Sequence, residues 1–166
     1  IAIVEGTAEQ LKQATQLVAQ ANLQLSKFDS VLEGALQSKL VFDAAEVDGS
    51  DAALLAADAH LHLGNPADAS TMALAVLEKH TDAESATHQR AAWISGQAAW
   101  ALGRAEQLDK ASAASRGPQK DALKALAAVQ RGDVATARLQ FPPSGLKGAD
   151  AAALAQADLR GKLDAA

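Results

Sequence analysis

The sequence predicts an all-α fold, and three observations predict it. Of 166 residues, 42 are Ala and 22 are Leu, so nearly two in five are strong helix formers. Only 8 Val, 3 Ile and 3% aromatic residues are left to furnish the pleated faces of a sheet. Apolar residues recur at spacings of three and four, in runs broken by single glycines. A hydrophobic content of 49% with 21% charge belongs to a chain that buries a core. At this length, one domain or one short repeat array is expected.

Thr7 with Gln10 three residues on makes a capping box that starts the first helix. Leu11, Ala14, Leu17, Val18, Ala21 and Leu25 form its apolar stripe, expected to face the core. A second helix follows Ser26-Lys27 and carries Phe28, Val31, Leu32, Ala35, Leu36 and Phe42. Val47-Asp48-Gly49-Ser50-Asp51 contains an Asp-Gly pair and an N-cap residue, so it reads as a loop. Helices are then expected over 52–63, stopped by Gly64, and from Pro66 to about His80, with Pro at the first turn. Thr81-Asp82 breaks the chain before a helix from near Ser85 to Leu102, stopped by Gly103. Its partner runs over 105–115. Gly117-Pro118 pairs a terminating Gly with a starting Pro, and 122–130 follows, stopped by Gly132. Residues 134–139, an irregular Phe141-Pro142-Pro143-Ser144-Gly145 connection, and a last pair from Asp150 broken at Gly161 complete the chain.

The stops repeat. Gly64, Gly103, Gly132 and Gly161 each sit between two helices, with Ala or Leu five residues later, and Ser26 holds the same place in a weaker fifth copy. Internal repetition on this scale is the mark of a short α-solenoid of stacked antiparallel hairpins, each burying its apolar face only against its neighbours. The expected hairpins cover 7–45, 50–82, 84–116, 118–141 and 149–166. An irregular antiparallel helical bundle is the alternative, since Ala- and Leu-rich helices joined by short loops share this pattern.

The unit Leu63-Gly64-Asn65-Pro66-Ala67-Asp68-Ala69, with Ala57 upstream and Ala73 downstream, resembles a tetratricopeptide repeat. Arg131-Gly132-Asp133-Val134-Ala135-Thr136-Ala137 resembles the same inter-helix turn. Small residues suit the crossings expected where Ala57 or Gly96 meets Ala69 or Leu108. The family's first-helix aromatic is replaced by Ala53, and its closing Pro by Thr81 and Lys120, so the repeats are degenerate. The resemblance implies a concave groove, lined by the first helix of each hairpin, that binds a peptide segment or a partner subunit. Counted back from the turn glycines, its lining would be Asp51, Leu54, Asp58, Leu61 and His62, then Arg90, Trp93, Gln97, Trp100 and Ala101. Trp93 and Trp100, the only two Trp, lie seven apart on one side of a helix and would serve either as groove anchors or as core filling.

No enzymatic constellation is legible. The glycines are helix stops rather than a phosphate loop, and Ser144 lacks the strand-to-helix setting of a nucleophile elbow. Absence of Cys excludes thiolate catalysis, disulfides and Cys-ligated zinc. His60 and His62 point to opposite sides of a helix, and His80, Glu84 and His88 align only if the helix is unbroken at Thr81-Asp82. No metal and no cofactor is therefore expected. A net charge of −5 speaks against a nucleic-acid partner, and no apolar run is long enough to span a bilayer. The expected function is a non-enzymatic protein–protein interaction scaffold. The alternative is a helical bundle with a small-molecule or catalytic pocket. The last hairpin reads as uncapped, so either further chain or self-association through it is expected. Both a cytoplasmic setting and a bacterial periplasm or envelope stay open.

Overall fold

The computed structural model describes residues 8–45, 48–133 and 135–137, and everything described is helix, turn or loop. Seven helices follow in order: α1 (Ala8–Gln24), α2 (Phe28–Ala45), α3 (Ser50–His62), α4 (Pro66–Lys79), α5 (Ala86–Ala101), α6 (Ala105–Ala114) and α7 (Gly117–Gln130). Residues 135–137 begin a further helical turn, whose first amides are capped when Thr136 N–H donates to Asp133 Oδ1 at 3.0 Å. Thr7, Gly161 and the hairpin expected at 149–166 lie outside the described residues.

Each helix packs against the next one in the chain, and the substantial next-but-one pairings all join odd helices: α1 with α3, α3 with α5, and α5 with α7. This is the contact pattern of hairpins stacked side by side, with the odd helices forming one continuous layer. The cores are local. Leu54, Ala57, Ala69, Ala73, Val76 and Ile94 make one cluster across α3, α4 and α5. Ala99, Leu108, Ala111, Leu123 and Leu126 make the next, across α5, α6 and α7. Ala19, Val31, Leu55 and Ala59 join the first hairpin to α3.

The repeated bend is one backbone motif used four times. Ser26, Gly64, Gly103 and Gly132 all have positive φ, at 56°, 77°, 69° and 79°. At each, the N–H of that residue donates to the carbonyl three back, and the next N–H donates to the carbonyl five back (Asn65 to His60 at 2.8 Å, Arg104 to Ala99 at 2.9 Å). These paired bonds satisfy the last carbonyls of the helix and require the left-handed conformation. Glycine adopts it freely, whereas Ser26 does so at a cost.

Three expectations need correction or extension. First, the apolar stripe of α1 faces outward: Leu17, Val18 and Leu25 are all more than 60% exposed, while Ala19 and Leu23 meet the core. Spacing identified residues that share a face, but not the face that the neighbours cover. Second, α7 begins at Gly117, so the polar segment Gln119-Lys120-Asp121 ahead of the expected 122–130 belongs to its first turns. Gly117 therefore opens α7 instead of closing α6, whose end is the extended Ser115. Third, Gly96 lies against Leu123 of α7, where a Cβ would overlap that side chain. It marks a close α5–α7 crossing between hairpins, beyond the one expected within its own hairpin.

Candidate functional site

The residues expected to line a groove come from α3 and α5, which pack side by side. The structure brings three of them together. Asp58 sits between its neighbours, with Oδ1 3.9 Å from His62 Nε2 and Oδ2 4.0 Å from Arg90 Nη2. The His62 ring stacks on Phe28, at the start of α2, with centroids 4.7 Å apart and planes 9° from parallel. Two turns earlier on α3, Asp51 accepts a long hydrogen bond from Thr87 Oγ1 at 3.4 Å, a second polar tie between α3 and α5.

Along α5 the same stripe continues through Trp93, Gln97, Trp100 and Ala101. Trp93 is half-buried and packs against the alanine cluster of Ala122, Ala125, Ala128 and Ala137, and against the Leu108–Leu123 core. Trp100 is also half-buried against that core, and its carbonyl accepts a hydrogen bond from Gln130 Nε2 at 2.8 Å. Each Trp thus has one side in the packing and part of its surface in solvent. Gln97 is partly exposed between them, and Ala101 is exposed. Leu54 does not belong to this surface. It is fully buried in the α3–α4–α5 core, because α4 covers that side of α3. Leu61 is partly buried against the same core.

Two polar assemblies escaped the sequence reading because they join residues far apart in the chain. The first gathers at the start of α3 and the end of α4. Asp48 Oδ1 accepts from Ser50 Oγ at 2.6 Å, from Ser50 N–H at 3.1 Å and from Lys79 Nζ at 2.8 Å, and Oδ2 lies 3.0 Å from His80 Nε2. Partial burial pushes the Asp48 carboxyl up, but the bonds from Lys79 and Ser50 outweigh it and hold the group far below the usual carboxylate range. Ser50, His80 and Asp48 are the residue types of a nucleophilic triad, yet here Ser50 Oγ and Asp48 meet the same ring nitrogen of His80. In a triad the acid holds the opposite nitrogen and leaves the hydroxyl to the base. Ser50 is also buried, so the assembly fastens the α2–α3 connection to the end of α4.

The second assembly closes the other end of the α4–α5 connection. His88 is buried, with Nδ1 2.6 Å from the His80 carbonyl and Nε2 3.2 Å from that of Ala114. Gln89 Nε2 donates to the Ala83 carbonyl at 2.7 Å, and its Oε1 accepts from Arg116 N–H at 2.8 Å. The first turn of α5 therefore satisfies carbonyls left over by the ends of α4 and α6. His80, Glu84 and His88 do not share a helix, since α4 stops at Lys79 and α5 starts at Ala86. Among the described residues, no three His, Asp or Glu side chains are grouped as metal ligands, and no helix is long and apolar enough to cross a membrane.

Compared with known proteins, the chain matches no family model, no curated protein and no solved structure.

Proposed function

We propose that this chain is a non-enzymatic interaction scaffold, a degenerate tetratricopeptide-like array that takes a peptide segment or partner subunit on the face of its odd helices. One observation carries the reading. Where α5 packs, it is built largely of Ala, Ser and Gly, and its large residues beyond Arg90, apart from Ile94, gather on the Trp93–Gln97–Trp100 stripe. That stripe adjoins Asp58 and His62 of α3 through the Arg90 contact. Partly exposed Trp beside Arg and a polar amide is the composition of a binding hot spot, and odd helices packed in one layer present it as a continuous surface.

The test selects peptides from a random display library on the full chain. Affinities are then compared with Arg90→Ala and Gln97→Ala, neither of which removes core packing. Each variant is expected to bind the selected peptides about ten-fold more weakly, the effect of losing a hot-spot contact. Ala75→Phe, on α4, is expected to leave them unchanged. Selected peptides that bind both α5 variants as well as the parent chain would overturn the proposal.

A further inference from the structure

The even helices leave a cleft that the odd-helix reading does not use. It lies between α2 and α4 with α3 as its floor, and its volume is about 530 Å³, within the range of small-molecule sites of roughly 300–1,000 Å³. From Gly49 to His60 it follows eleven residues of α3, about 16 Å at 1.5 Å per residue. Leu36 of α2 and Met72, Ala75 and Val76 of α4 form its walls, and Ala53 and Ala56 its base.

The cleft is not a general property of the stack. Gly64 and Gly103 set the register between the two repeats, so Ala53 and His60 of α3 correspond to Ala92 and Ala99 of α5. Those two are fully buried, whereas Ala53 and His60 are both partly open. The same position is closed over α5 and open over α3.

Two features define what the cleft accepts. Among the described residues, the charges at its Gly49 end are paired with one another: Lys79 lines the cleft and lies 2.8 Å from Asp48, which also meets His80. A charged ligand there would meet no unpaired partner among the described residues, and burying its charge would oppose binding. At the other end stands His60, whose partly open ring lines the cleft, while its enclosed Nδ1 has no hydrogen-bond partner in the protein.

We infer that the cleft between α2 and α4 is a binding site for an uncharged, largely apolar small molecule carrying one hydrogen-bonding group, which His60 meets at the end of the cleft remote from Lys79. The site stands independently of the Trp93–Trp100 surface, on the opposite side of α3.

Met72 is the one methionine of the sequence and it lines the cleft, so a ¹³C-methyl methionine label on the full chain gives a single signal from the site. The probe is N-phenyl-1-naphthylamine, an uncharged apolar molecule with one N–H. Its titration should shift the Met72 resonance to saturation, with 1-decanol competing. The same skeleton carrying a sulfonate, 1-anilinonaphthalene-8-sulfonate, should bind at least ten-fold more weakly. Ala75→Phe, at an exposed wall position, should abolish saturation while helicity is retained, and His60→Leu should weaken binding by about five-fold, the effect of one hydrogen bond. A Met72 signal unmoved at probe saturation would overturn the inference. Equal affinity for the sulfonate would do the same, as would a Met72 shift produced by raising protein concentration alone, which would mean that a second copy covers the cleft. The wild-type measurements decide the matter even if a variant fails to fold, and loss of peptide binding by the α5 variants leaves them untouched.

Discussion

Gly34 and Gly96 both lie inside helices, where glycine is less favourable than alanine by about 1 kcal/mol. Their surroundings differ. A Cβ on Gly34 would meet nothing within 4 Å, so Gly34→Ala should raise stability by about 1 kcal/mol. A Cβ on Gly96 would overlap the Leu123 side chain, which is itself fully buried. Overpacking of this kind costs about 1–3 kcal/mol, enough to outweigh the helical gain, so Gly96→Ala should lower stability. Urea unfolding midpoints of the two variants check the pair, and shifts of the same sign would contradict the close α5–α7 approach. Trp93→Ala should cost about 2 kcal/mol, less than a fully buried Trp, because one side of the ring is in solvent. The same variant would therefore lose partner binding and stability together, which is why Arg90 and Gln97 are the cleaner reporters of the surface.

At the scale of the element, the four bends share a backbone but not a residue. Ser26 holds a left-handed conformation that glycine adopts without strain, and Ser26→Gly should raise the stability of the α1–α2 hairpin by about 1 kcal/mol. Thermal unfolding of the full chain checks this; an unchanged or lowered transition would show that Ser26 is not strained. The Asp48 assembly gives a pH dependence. Its carboxyl is ionised more readily in the folded chain than in the unfolded one. Its contribution is thus complete above the ordinary carboxyl value of about 4 and is lost as pH falls through the acid range below it. Asp48→Asn should cost about 1 kcal/mol at neutral pH, a modest figure because the group is partly exposed to water. The gap between the two proteins should narrow as pH falls below about 4, as urea titrations at several pH values would show. A gap independent of pH would dissociate the clamp from its charge.

The bends were legible in the sequence because a helix ending in Gly announces its own conformation, and Ser26 could be placed by register alone. The Asp48 and His88 assemblies were not legible, since each joins side chains or carbonyls about 30 residues apart across the ends of different helices. Within the candidate surface, counting back from Gly64 and Gly103 placed Asp58, His62 and Arg90 together. It misplaced Leu54, because a helix has only one register but the partner that covers each side of it is set by the whole stack.

For the whole molecule, cores confined to neighbouring helices imply unfolding by parts. Val31 is fully buried in the cluster that joins the first hairpin to α3. Val31→Ala should therefore speed amide hydrogen exchange in α1 and α2 while leaving α5, α6 and α7 near their parent rates, and uniform acceleration throughout would refute this modularity. The pairing of odd helices carries a mechanical corollary. A row of rods tied along one edge bends most easily by spreading or shutting its untied edge, as a bound book fans from its spine. Strain applied to this chain would therefore be taken up first where α2 and α4 stand apart, and a molecule wedged between them would stiffen the whole row.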